Sequence, residues 1–160
     1  MNDEIALLAE IARKYEQRGW LIATAESCTG GLIAKWLTDQ AGSSAYFDAG
    51  FITYSNAAKQ AMLGVAVTSL ERFGAVSQVV AEEMALGALD HSQAHTAVAV
   101  TGIAGPSGGS REKPVGTVWI AVASKSGKKQ ANLHQFSGDR QEIRQQTAIN
   151  ALKYLLQVID

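Results

Sequence analysis

Scarcity sets the first limits. Among the 160 residues there is one cysteine, Cys28, which excludes an intramolecular disulfide and any cysteine-cluster metal site. A lone thiol suits a reducing cytoplasm. No charge of either sign dominates: Lys plus Arg is 14, Asp plus Glu is 15, and the formal net charge is −1. That balance gives no electrostatic footprint for nucleic acid or an anionic membrane, and only a local basic cluster is left to hold a phosphate. No apolar run approaches the roughly 18 residues a membrane span needs. Residues Met1 to Glu10 carry Asp3, Glu4 and Glu10 and no basic segment, so no signal peptide is expected. Of the three histidines, His91 and His95 stand four apart without a carboxylate-rich motif beside them, and no metal site is expected there.

What is present is an apolar fraction of 47%, enough for a sizeable core in a chain of one-domain length. Apolar residues at three- and four-residue steps predict a helix over Asp3 to Arg18, ended by Gly19. Trp20 to Ala25 reads as a buried strand, and Leu32 to Thr38 as a helix. Gly50 to Tyr54 is a second predicted strand. Ser55, Thr68 and Ser77 are predicted caps of three further helices. Thr96 to Thr101 is a third strand of small and β-branched residues. Val115 to Ala123 and Gln130 to Phe136 form a hairpin across Ser126-Gly127. Asp139 caps a last helix reaching about Ile159. The order predicts an α/β class chain: a single-domain, three-layer α/β/α sandwich on a mixed sheet of about five strands.

Four segments carry candidate chemistry. Glu26-Ser27-Cys28-Thr29-Gly30-Gly31 lies between a strand and a helix, where open α/β sheets bind ligands. Ser27 and Thr29 offer hydroxyls, Cys28 a thiol, and Gly30 and Gly31 a close backbone approach. The helix start offers N–H groups to an anion or oxyanion. The plain alternative is a turn in which Thr29 is a simple N-cap. In Tyr54 to Lys59, the lysine lies one turn into a helix. It is either a solvated charge or, buried with a lowered pKa, a general base. The run Thr101-Gly102-Ile103-Ala104-Gly105 to Ser110 is glycine-rich without being a Walker A or GxGxxG motif. It reads as a loop that wraps a ligand, or as a flexible surface loop. Arg140 and Arg144, four apart at a helix start, invite a phosphate, with pairing to Asp139 or Glu142 as the alternative. No histidine falls in these segments. If Ser27 is the nucleophile, Lys59 is the basic group able to lose a proton near neutral pH, as in Ser–Lys dyads. Cys28 as nucleophile stays open at this point.

The runs Thr24–Gly31 (TAESCTGG), Gly50–Asn56 (GFITYSN), Gly74–Ser77 (GAVS), Thr101–Gly109 (TGIAGPSGG), Lys113–Thr117 (KPVGT) and Phe136–Arg140 (FSGDR) resemble the CinA C-terminal family. The resemblance covers about Ala6 to Tyr154. Stand-alone members of that family are nicotinamide-nucleotide amidohydrolases, and many others carry a second, N-terminal domain, which this chain is expected to lack. The resemblance implies hydrolysis of nicotinamide mononucleotide to nicotinic acid mononucleotide and ammonia, without metal or cofactor. It implies Ser27 as nucleophile, Lys59 as base, Tyr54 beside it, and a functional arginine at Arg144. Cys28, Thr29, Gly30, Gly31, Thr101, Gly102, Ala104, Gly105, Arg140 and Arg144 are the expected substrate contacts. The expected partner is the small-molecule substrate, with no nucleic acid or membrane, and oligomeric state, homo-oligomers included, is left open.

Overall fold

The structure, a computed structural model, describes residues 2–160. Its elements run α1 (Asn2–Arg18), β1 (Ile22–Glu26), α2 (Leu32–Thr38), β2 (Phe47–Ile52), α3 (Asn56–Leu63), α4 (Val67–Phe73), α5 (Gln78–Asp90), β3 (Thr96–Gly102), β4 (Thr117–Ser124), β5 (Lys129–Gln135) and α6 (Arg140–Ile159), with a 3₁₀ turn at Ser43–Ala45. The five strands form one sheet in the order β2-β1-β3-β4-β5. Strand β1 pairs parallel with β2 and β3, while the β3–β4 and β4–β5 pairs are antiparallel, so the sheet is mixed as expected.

Strand periodicity builds two unlike faces. Side chains alternate across a strand, and in β3 the alternation is alanine against valine. Val98, Val100, Val118, Ile120 and Val122 face α1, α2 and α6, in a core with Ile11, Tyr15, Ile33, Leu152 and Leu155. Ala97, Ala99, Ala121 and Ala123 face the other way, against Ala81, Met84, Ala85 and Ala88 of α5. With only methyl groups between them, helix and sheet approach closely. The same crowding fixes Gly87, where an added Cβ would lie 2.1 Å from the Leu63 carbonyl oxygen of α3.

Three local expectations need correction. The second strand is Phe47–Ile52 rather than 50–54: Thr53 and Tyr54 leave the sheet because both their carbonyls turn toward Lys59. The cap of α4 is Ala66, not Thr68, and it works without a side chain of its own. Glu83 of α5 supplies it instead, accepting from Ala66 N at 2.8 Å and from the Ser69 hydroxyl at 2.5 Å. The first strand starts at Ile22, since Trp20 lies outside the sheet, stacked on His95. Ser55 and Ser77 cap as expected, and Asp139 forms a full capping box with Glu142.

Candidate active site

Parallel pairing brings the carboxyl ends of β1, β2 and β3 to one sheet edge. Ser27 follows β1, Thr53 and Tyr54 follow β2, and the glycine-rich loop follows β3. The start of α6 adds Arg140 and Arg144. A cavity of about 210 Å³ lies among them, lined by Ser27, Cys28, Tyr54, Asn56, Lys59, Ala75, Val76, Thr101, Gly102, Ala104 and Arg140. Two markedly larger cavities are one of about 350 Å³ between the ends of α1 and α6 and one of about 460 Å³ beside Trp36, next to a further one of about 240 Å³ lined by Glu4, Trp36, Gln145 and Ile149. None of these holds a nucleophile next to a base, so chemistry rather than volume locates the site.

Lys59 sits in the first turn of α3, four residues after the cap Ser55. Four further on is Leu63, which shares its buried face. The lysine is 1% exposed. Its Nζ lies 2.9 Å from Ser27 Oγ, 2.9 Å from the Thr53 carbonyl and 3.2 Å from the Tyr54 carbonyl. No carboxylate stands among these partners. Burial therefore holds the ammonium below the ordinary lysine value, only partly offset by nearby Cys28. With two carbonyls taking two N–H bonds, a neutral amine directs its lone pair at the Ser27 hydroxyl, which then donates to it. Of the two expected settings for this lysine, a solvated surface charge and a buried amine of lowered pKa, the structure shows the second.

Cys28 is buried, and burial pushes its thiol up to about 12, so it stays protonated at neutral pH. A thiolate nucleophile has no support there.

The loop that follows Ser27 is tightly bound. Gly30 and Gly31 both have positive φ, at 59° and 106°. An added Cβ would meet Arg144 Nη2 at 3.2 Å and Ile52 Cδ1 at 3.0 Å, respectively. The start of α2, expected to be open to an anion, is occupied from within. The Glu26 carboxylate accepts from Gly31 N at 3.2 Å, Ile33 N at 3.0 Å and Ala34 N at 3.0 Å. It also accepts from the Thr29 hydroxyl at 2.6 Å, so Thr29 is not the N-cap of α2. Gly30 N donates to Ser27 O and Leu32 N to Thr29 O. The N–H groups of Cys28 and Thr29 join none of these main-chain bonds.

The two arginines separate. Arg140 lines the cavity, donating through Nη1 to Gly105 O at 2.7 Å and through Nη2 to the Tyr54 hydroxyl at 3.2 Å. Arg144 lies behind the loop and lines only the neighbouring 460 Å³ cavity, which Arg140 borders as well. Its Nε donates to Cys28 O at 3.1 Å and its Nη2 to Thr29 O at 2.9 Å. Tyr54 is 61% exposed with its phenol turned to Arg140; Lys59 meets this residue through its main chain. Of the expected residues, Thr29, Gly30, Gly31, Gly105 and Arg144 are outside the cavity lining. Those not anticipated are Asn56, Ala75 and Val76 in the lining, the Thr53 carbonyl, and Glu26. The GAVS run before α5 was the available signal for Ala75 and Val76. His91 and His95 serve structure, His91 Nδ1 with Gly87 O at 2.8 Å and His95 Nδ1 accepting from Leu21 N at 2.9 Å.

Comparison with known proteins gives a concordant result. The family model described as CinA C-terminal domain matches residues 4–159. The nicotinamide-nucleotide amidohydrolase PncC of Enterobacter agglomerans is 56% identical over 150 residues, spanning 94% of this chain and 92% of that protein. The protein of the same name from Escherichia coli strain K12 is 50% identical over 157 residues, spanning 98% of this chain and 95% of its own length. Among solved structures, the competence/damage inducible protein CihA from Agrobacterium tumefaciens superposes with a TM-score of 0.97 at 48% identity. That match covers 99% of this chain and 96% of the other.

Proposed function

This chain belongs to the CinA C-terminal domain family, and from that membership and the geometry above we propose that it is an amidohydrolase. In this reading it converts nicotinamide mononucleotide to nicotinic acid mononucleotide and ammonia, with residues 1–160 as one amidohydrolase domain. The observation that carries the mechanism is the 2.9 Å approach of Lys59 Nζ to Ser27 Oγ, with the lysine buried and no carboxylate beside it.

Neutral Lys59 takes the Ser27 proton as Oγ attacks the carboxamide carbon. The carbonyl oxygen becomes an oxyanion, for which the Thr29 N–H, in none of the loop's main-chain hydrogen bonds, is a donor along the loop. Lys59 then returns its proton to the departing nitrogen, the C–N bond breaks, and ammonia leaves an acyl ester on Ser27. Water, deprotonated by Lys59, attacks that ester and frees the carboxylate product and the serine. The carbonyls of Thr53 and Tyr54 hold the amine through both steps. Every residue in this sequence comes from one copy.

Arg140 is the cation on the cavity wall, and we assign it the substrate phosphate, with the exposed Tyr54 phenol beside it. Arg144 acts from behind, through the carbonyls of the nucleophile loop. A cytoplasmic setting fits the free, buried Cys28, and among the described residues no helix is long and apolar enough to cross a membrane.

The test is ammonia release from nicotinamide mononucleotide by the purified protein and its Ser27→Ala variant. Wild type is expected to release one ammonia per nucleotide, and the variant to be slower by about 1000-fold or more. Nucleotide binding without release would make the chain a binding module instead.

A further inference from the structure

Glu26 is fully buried and forms no salt bridge among the described residues, a costly place for a carboxylate. Four donors hold it, and they come from both sides of the nucleophile loop's end: the Thr29 hydroxyl, Gly31 N, Ile33 N and Ala34 N. Capping a seven-residue helix does not require this, because a hydroxyl or amide at the cap position does so without burying charge. The added effect is geometric. One side chain, in the residue before Ser27, ties down the residues after it.

The backbone of Glu26 extends that grip to the base. Its carbonyl accepts from Thr53 N at 2.9 Å, and the Thr53 carbonyl accepts from Lys59 Nζ at 2.9 Å. Residue 26 therefore precedes the nucleophile directly and stands one residue's hydrogen bonds away from the base. On the opposite side of the loop, Arg144 holds Cys28 O and Thr29 O. In a trans peptide the C=O and N–H point opposite ways. Arg144 on Cys28 O thus turns the Thr29 N–H away from α6.

We propose that Glu26 is a positioning residue for this reaction: its carboxylate occupies the amides of α2 and fixes Thr29, so that Ser27 and the Thr29 amide are held in one arrangement. It acts through the loop and touches no reacting atom. The proposal rests on Ser27 being the nucleophile, as argued above.

The test uses Glu26→Gln and Thr29→Val in the full chain, with two readouts: steady-state ammonia release across pH, and the rate at which a fluorophosphonate labels Ser27, followed by intact mass. Glutamine keeps the size but brings an NH2 against backbone N–H donors. The expected result for Glu26→Gln is a kcat lower by about 10- to 100-fold, the range that a misplacement near 1 Å produces. KM should stay within about threefold and the pH midpoint should not move, because Lys59 does not contact this carboxylate. Ser27 labelling should slow in parallel. Thr29→Val should show a smaller loss of the same kind, and Thr29→Ser should recover most of it. An unchanged kcat per folded molecule overturns the proposal and leaves Glu26 a plain helix cap. A shifted pH midpoint overturns it too, by showing that the charge acts on Lys59. If Glu26→Gln does not fold, Thr29→Val decides by the same criteria. If wild type releases no ammonia, the substrate reading has failed, and the labelling rates alone decide whether Glu26 positions Ser27.

Discussion

The loops that follow β1 and β3 border the same cavity and are built in opposite ways. After β1, Ser27, Cys28 and Thr29 are all buried, and each is held from within by Glu26, from behind by Arg144 or from the side by Lys59. After β3, residues 106–112 are exposed, and their ties are few: Ser110 N to Lys113 O at 2.9 Å, Lys113 N to Ser110 Oγ at 3.0 Å, and Arg140 to Gly105 O at the loop's root. A reacting atom tolerates little displacement, whereas a loop that closes over a ligand must move. On the function proposed above, the difference suits the first loop to bond-breaking and the second to recognition of the rest of the substrate.

The largest effect that would break this division comes from Lys59. Lys59→Arg keeps the charge and much of the length but never becomes neutral. Ammonia release should fall by about 100- to 10,000-fold, the range for loss of a general base. In wild type, burial lowers the Lys59 pKa, so the neutral fraction grows as pH rises. Activity should therefore climb through an ionisation below the ordinary lysine value of 10.5, and the arginine variant should show no such limb. A variant that kept most of the rate would make Lys59 an electrostatic anchor, and the contrast between the loops would lose its chemical half.

A middle-sized effect addresses recognition. The carboxamide is uncharged, so the phosphate is expected to supply binding energy through Arg140. Nicotinamide riboside, which lacks it, should have a kcat/KM lower by about 10- to 100-fold, matching one charge-assisted bond. Arg140→Ala should lower the value for the mononucleotide while leaving the riboside little changed. Equal efficiency on both substrates would remove the phosphate from the second region's role.

The smallest effect sharpens the comparison inside the first loop. Cys28 adjoins the nucleophile, but its thiol is buried and held protonated. Cys28→Ala should change turnover by less than about fivefold, at a stability cost of about 1 kcal/mol for the lost sulfur volume, read by thermal unfolding. A loss as deep as that of Ser27→Ala would transfer the nucleophile to the thiol.

Which of these features could be read from the chain depended on how far away their partners lie. Ser55, Ser77 and Asp139 cap helices with bonds to residues three further on, and their residue types announce it. The cap of α4 was hidden because Glu83 reaches it from 17 positions away. Glu26 was hidden differently. It sits inside a strand, and its carboxylate returns over the loop to cap the next helix, where Thr29 is the residue type that pattern favours. The Ser27–Lys59 pairing was legible as the motifs' one available base, but its geometry depends on Thr53 and Tyr54 turning out of the sheet edge. Arg140 and Arg144 show the limit most plainly. They are four apart, on one helical face, yet one lines the cavity and the other grips carbonyls behind the loop. Spacing put both near the site and could not tell them apart.

The methyl-lined face of the sheet bears on the cavity too. Helix α5 packs against β1, β3 and β4 across alanines, and the segment leading into it supplies Ala75 and Val76 to the cavity wall. The thickness of that thin layer therefore sets how far the wall stands from Ser27. An ethyl or isopropyl group at Ala97 or Ala99, on the face of β3 packed against α5, has no void to enter and must lift the helix. Side-chain volume on this side thereby reaches the aperture of the site through residues outside the cavity lining.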